Sequence, residues 1–369
     1  MTNKPTAPPL RRGWTTGSCA TAAARAAFEA LVSGAAPPDP VEIGLPSGQR
    51  VAFALAEFER GSDFARAGVV KDAGDDPDVT HGALVITTLR RARAGAGVSF
   101  SAGEGVGTIT RPGLPLPPGE PAINPAPRAM MRQTILEAAS SLGVSADAHI
   151  EISIPGGAVM AAHTLNGRLG IVGGLSILGT TGIVVPYSCA AWIDSIHRGV
   201  DVARACGLTH IAGATGSTSE AAVRALHGLP EAALVEMGDF AGGLLKYLHT
   251  HPVPRVSIGG GFAKMTKLAQ GRLDLHSGRS SIDFARLSQT AREAGASEDL
   301  AARIAGANSA LEALQISHAA GVDLSAPIAR GAWTTAARAL NTGETELEII
   351  VFDRDGGLLA RTKFQRAGA

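Results

Sequence analysis

Apolar positions follow two different rhythms along the chain. From Val41 to Ser101, short apolar runs alternate with clusters of Gly, Pro and Asp. They predict strands at Val41–Leu45, Arg50–Leu55, Ala67–Val70, Ala83–Leu89 and Val98–Ser101, many of them joined without helices. Two stretches of helical period flank this region, the Ala-rich Cys19–Val32 and the later Arg128–Leu142, and a further strand is predicted at His149–Ile154. Thr15–Ser18 supply hydroxyls ahead of the first helix, with Ser18 as the predicted N-cap. After about residue 155 each short apolar run is followed by a glycine or hydroxyl turn and then by a helical pattern. The strands predicted there are Ile183–Pro186, Thr209–Ala212, Ala233–Met237 and Val256–Ile258.

The first rhythm predicts an N-terminal α+β domain over residues 1–155. The second predicts a Rossmann-like parallel α/β domain over 156–290, because strand–turn–helix units bury a parallel sheet beneath helices. Residues 291–369 read as helices from Ser288 to Asn341, then a strand, a turn at Asp353–Gly357 and a second strand. Asp355-Gly356 is the hairpin signal, and the pattern leaves open which domain this hairpin joins.

Composition narrows the functional classes. The chain has 369 residues, 33 basic against 33 acidic, so no cationic excess exists to bind a nucleic-acid backbone or an anionic membrane. Leu169–Ile193 runs 25 residues without a charge, but its five glycines and Pro186 predict strand and loop rather than a membrane helix. Met1–Trp14 has no apolar signal core, and Cys19, Cys189 and Cys206 show no metal-like spacing. A cytoplasmic protein without a protein-bound metal is expected.

Candidate chemistry concentrates in a few segments. His210 to Glu220 is a strand running through Gly213 and Gly216 into a helix opened by Ser217, a geometry that presents backbone N–H groups to an anion. Glu236 and Asp239 follow about 20 residues on, where an acid of a dinucleotide fold accepts hydrogen bonds from ribose hydroxyls. The segment with Gly173, Gly174, Gly179, Thr180, Thr181 and Gly182 is dense enough in glycine for close approach to a ligand, or for a sharp chain reversal. Lys71 to His81 gathers four carboxylates, readable as a cation loop or as Asx turns. His276 is the histidine best placed for proton transfer. No G-x-S-x-G or H-E-x-x-H occurs, which removes the commonest hydrolase and zinc-protease classes.

Several ordered blocks resemble the cobalt-precorrin-5B C1-methyltransferase family of anaerobic cobalamin synthesis. They are Gly13–Ala22, Lys71–Thr80, Gly103–Thr108, Gly119–Pro125, Arg168–Gly174, Ser176–Gly182 and Lys264–Ala269. The likeness spans roughly residues 10 to 285. Gly167 departs from the proline expected before the Arg-Leu-Gly block, and nothing beyond about residue 290 matches.

The resemblance implies S-adenosylmethionine as methyl donor and a ring-contracted tetrapyrrole as acceptor, whose cobalt arrives with the substrate. On that basis the donor pocket is expected at the glycine segments just named, with Glu236 or Asp239 on ribose. Thr16, Gly17, Ser18, Lys71, Arg128, Lys264 and Lys267 become anchors for acceptor carboxylates. Asp72 and His276 are the candidate proton-handling groups. A nicotinamide-dependent reductase would use the same glycine and acid geometry, and a non-catalytic tetrapyrrole carrier the same cations. Homo-oligomerisation is expected only as a general tendency of soluble proteins.

Overall fold

The computed structural model describes residues 9–368, so the greater part of the N-terminal segment read for a signal core lies outside the described residues. The chain is mixed α/β and divides into two compact units, Met1–Ser188 and Cys189–Ala369.

The first unit is built on a five-stranded sheet in the order 57–60, 64–70, 84–91, 148–153, 98–102. All its pairings are antiparallel except that of 98–102 with 148–153. Helix Thr16–Ser33 packs across strands 64–70 and 84–91 and against helix Pro125–Leu142. Its buried face is made mostly of small residues, with Phe28 the one large side chain, which lets backbone approach backbone closely. The N-cap is Thr15, not Ser18. The Thr15 hydroxyl accepts from Ser18 N at 3.2 Å, while the Ser18 hydroxyl donates to the Gly182 carbonyl at 2.7 Å. Helix Pro125–Leu142 starts before the expected Arg128 because extended Asn124 leads into Pro125, whose fixed φ suits a first helical residue.

The unit boundary falls later than the expected 155. Residues 156–188 return to the first unit through a ladder of main-chain bonds. Leu175 N donates to Gly105 O at 2.9 Å, Gly107 N to Leu175 O at 2.8 Å, Ile177 N to Ala122 O at 2.7 Å and Thr15 N to Gly182 O at 3.1 Å. The apolar run expected to open the parallel sheet forms instead strand Ile183–Val184, antiparallel to Gly13–Trp14. Leu169–Ile193 is strand and loop as far as Ser188, followed by the first turn of a helix. No helix among the described residues is long and apolar enough to cross a membrane.

The second unit holds a parallel sheet in the order 234–235, 210–214, 255–261, 346–352, extended antiparallel by 358–361, with 365–366 also paired to 346–352. The fourth parallel strand comes from the predicted C-terminal hairpin, which answers where that hairpin belongs. Alternation along Glu346–Phe352 sends Leu347, Ile349 and Val351 to the larger core with helices 189–205, 241–250, 262–269 and 325–340. Ile350 and Phe352 face the smaller core with helix 217–227. Helices 284–293, 298–305 and 310–319 complete the region expected to be helical.

Candidate functional site

In the parallel sheet the chain runs from strand 210–214 outward to edge strand 234–235, then crosses back to 255–261 on the other side. A crevice opens at the carboxyl ends of strands where the order reverses in this way, and open α/β sheets bind ligands there. The residues at that edge are Thr215–Ser217, Glu236–Phe240 and Gly259–Gly261. Gly238 N donates to Ala214 O at 3.0 Å and Thr215 N to Gly259 O at 3.1 Å, so the three loops form one rim.

Helix Ser217–His227 begins at Gly216 with no side-chain cap, and Gly216, Ser217 and Thr218 are exposed. The N–H groups of Ser217 and Thr218 meet no acceptor among the described residues, which leaves the positive end of the helix open to an anion. Gly216 has extended backbone, and a Cβ there would touch nothing within 4 Å, so the open space lies on the solvent side. Gly213 has a different role. A Cβ on it would come within 2.3 Å of Leu244 Cδ2, so it serves the packing of helix 241–250 rather than a ligand.

The two acids also separate. Asp239 pairs with Lys264 Nζ, and its carbonyl accepts from Leu275 N at 2.8 Å; Lys264 and Lys267 both donate to the Leu275 carbonyl, at 3.2 and 3.0 Å. Lys267 is buried, and burial followed by the neighbouring Lys264 pushes its pKa down. These two lysines and Asp239 therefore tie the 239 and 275 loops together. Glu236, by contrast, has a carboxylate with no hydrogen bond or ion pair among the described residues.

Sequence reasoning missed the aromatic part of this rim. Trp192, in the first turn of helix 189–205, donates its indole N–H to the Glu236 carbonyl at 3.2 Å and lies against Gly238. Phe240 stands 6.5 Å from the Trp192 ring and 5.4 Å from the Arg279 guanidinium. The available signal was a tryptophan at the start of an amphipathic helix, which pattern alone assigns to the core. His276 lies in the neighbouring 274–279 turn. Its Nδ1 accepts from Gly278 N at 3.1 Å, so one ring nitrogen serves the turn it sits in.

The remaining expected residues lie in the first unit, and most are engaged by the chain itself. Several glycines of this segment approach other parts of the chain closely. A Cβ on Gly174 would lie 2.3 Å from the Gly105 carbonyl, and one on Gly179 would lie 2.3 Å from Thr15 Oγ1. Gly182 is buried with its carbonyl on Thr15 and Ser18, while Gly173, Thr180 and Thr181 are exposed. Thr16 is buried, and Gly17 N donates to Leu178 O at 3.1 Å, so the 178–182 segment closes the start of the first helix. Arg128 donates to the carbonyls of Ile123 and Pro121 at 2.7 and 3.0 Å and pairs with Glu120.

The acidic loop is a clamp. Buried Lys71 reaches Asp78 Oδ2 and Thr80 Oγ1 at 2.5 Å each, and Asp75 accepts from Arg11 N at 2.6 Å. Asp76 accepts from Tyr187 N at 2.8 Å. Asp72 chelates the Arg11 guanidinium and accepts from Gly74 N, and these donors hold its carboxyl down at about 2. A carboxylate held by these donors is a weaker base than a free one.

Comparison with known proteins agrees with the blocks found in the sequence. A family described as CbiD matches residues 3–186, and one described as CbiD, C-terminal domain, matches residues 274–363, including the region in which no block was recognised. The chain is 62% identical to a cobalt-precorrin-5B C(1)-methyltransferase of Methylorubrum extorquens, over 95% of this chain and 97% of that protein. It is also 62% identical to one of a Bradyrhizobium species, over 96% and 94%. A crystal structure titled cobalamin biosynthesis protein (cbiD) from Archaeoglobus fulgidus matches with 28% identity over 73% of this chain and 83% of that one, at a TM-score of 0.40. With identity at that level over almost the whole length, the chain belongs to the CbiD family of cobalt-precorrin-5B C(1)-methyltransferases.

Proposed function

We propose that this protein methylates C1 of cobalt-precorrin-5B to give cobalt-precorrin-6A, with S-adenosylmethionine as the methyl donor bound at the carboxyl edge of the Rossmann-like parallel sheet. The observation that carries the donor placement is the pairing of a helix start at Ser217 that has no side-chain cap with an acid, Glu236, that has no partner among the described residues, at the end of the adjacent strand. The first offers N–H groups to the donor's carboxylate, and the second accepts from ribose hydroxyls. Gly216, Ser217 and Glu236 are the residues of the expected donor set retained here. Asp239, Lys264 and Lys267 hold the rim in shape.

When bound, the donor supplies an already electrophilic methyl group, so the chain needs no strong nucleophile of its own. Its work is to fix the methyl in line with the acceptor carbon and keep water away. Cobalt is part of the substrate and is not held by the protein. Lys71, Arg128, Gly17 and Ser18, expected as acceptor anchors, are engaged internally and are not assigned to the acceptor here.

Incubation with labelled S-adenosylmethionine and cobalt-precorrin-5B, followed by mass spectrometry, should show the acceptor gaining one methyl group. A gain of two hydrogens instead identifies a reductase, and binding without a mass change identifies a carrier. Glu236→Ala should raise the calorimetric Kd for the donor about tenfold, the loss expected for a charged hydrogen-bond acceptor. Unchanged affinity removes Glu236 from the site.

A further inference from the structure

The proposed donor placement leaves the purine ring without an assigned partner, and the rim supplies one. Trp192 is 43% exposed although its indole N–H is satisfied by the Glu236 carbonyl. Its ring is pinned on one side by Gly238, where a Cβ would sit only 3.2–3.4 Å from Cζ2, Cε2 and Nε1. Gly238 itself has φ +55° and is tied to strand 210–214 through its bond to Ala214 O. The indole is therefore held in one orientation with part of its apolar surface left to solvent, bonded to the main chain of the residue whose carboxylate has no partner among the described residues.

The order of groups along the donor matches the order of residues across the sheet. The helix start at Ser217 follows inner strand 210–214, Glu236 follows edge strand 234–235, and Trp192 rests on the loop beyond that edge. A ligand with its carboxylate at the first and its ribose at the second carries its base outward to the third. We infer that Trp192 stacks on the purine of the methyl donor and is a positioning residue for the transfer. A pre-oriented aromatic face lowers the ordering cost of binding and adds stacking to the ribose contact. The inference rests on the donor placement proposed above.

The test uses the full chain and S-adenosylhomocysteine, with calorimetry and intrinsic indole fluorescence as readouts. Wild type should bind with a change in emission. Trp192→Phe should keep affinity within about threefold. Trp192→Ala should weaken binding about tenfold or more and abolish the emission change, while Trp14 and Trp333 remain as a constant background. Adenosine used as the probe should lose affinity in Trp192→Ala by a similar factor, with an unchanged thermal midpoint showing that the fold is intact. Wild-type affinity in Trp192→Ala, or loss confined to S-adenosylhomocysteine with adenosine unaffected, overturns the stacking role and leaves the donor site standing. No binding of S-adenosylhomocysteine to wild type overturns both.

Discussion

Gly105→Ala is expected to destabilise the first unit by about 4 kcal/mol or more, among the largest effects open to a single methyl group. Gly105 has φ +71°, where a side chain is already strained, and its Cβ would lie 2.0 Å from the Ile154 carbonyl and 2.9 Å from Gly157 N. None of these contacts is the flexible end of a side chain, so relief requires a shift of backbone. That shift propagates, because Gly105 O accepts from Leu175 N and Gly174 packs on the same peptide. Gly173→Ala is the control. At φ +90° with nothing within 4 Å of its Cβ, it carries only the conformational penalty, about 1 kcal/mol. Urea unfolding of the two full-length variants separates them, and equal losses would show that close approach at Gly105 is not what holds the 171–177 segment in place.

The same contrast explains which parts of the molecule were legible in the sequence. Glycine density between 170 and 182 was visible, but its cause was not, since the surfaces it meets are Gly105 and Thr15, far away along the chain. Strands 210–214, 234–235 and 255–261 were legible because short apolar runs before glycine turns carry their own local signal. The run at 183–186 has the same local signal and pairs elsewhere, with Gly13 and Trp14, because partner choice is a tertiary decision. Strand 346–352 was visible as a strand, whereas its parallel register with 255–261 was not. At the rim, the helix after strand 210–214 and the position of Glu236 follow from spacing, but the hydroxyl cap that the Ser217–Ser219 run suggests does not form, since the helix begins at Gly216 with no side-chain cap. Lys71, Arg128, Lys264 and Asp239 show only their charge in a sequence, and folding spends that charge on internal partners. Trp192 escaped notice because an aromatic in a helical pattern carries no mark of which face it leaves exposed.

A buried polar network under the C-terminal end of helix 217–227 gives the second large expected effect. Glu348 is 2% exposed on the fourth parallel strand, accepts from the Ser257 hydroxyl at 2.8 Å and lies 2.7 Å from His227 Nε2. His210 Nε2 meets the same Ser257 hydroxyl at 2.9 Å, and Phe364 packs against both imidazoles. Glu348→Ala removes the buried acceptor shared by the Ser257 hydroxyl and His227, leaving them only each other and His210, and should cost about 3 kcal/mol, whereas Glu348→Gln keeps an acceptor and should cost about 1 kcal/mol. His210 adds a pH dependence of defined sign. Burial, then His227 and Arg255, lower its pKa to about 4 from an ordinary value of 6.5. Between those values the unfolded chain takes up a proton that the folded chain refuses, so the stability contributed above pH 6.5 is lost as pH falls toward about 4. His210→Gln, which keeps a donor for Ser257 but does not titrate, should flatten that part of the acid limb in urea unfolding measured from pH 7.5 to about 4. An unchanged slope would mean that other groups set it, and comparable losses in Glu348→Ala and Glu348→Gln would mean that the charge, rather than the acceptor, is what the network needs.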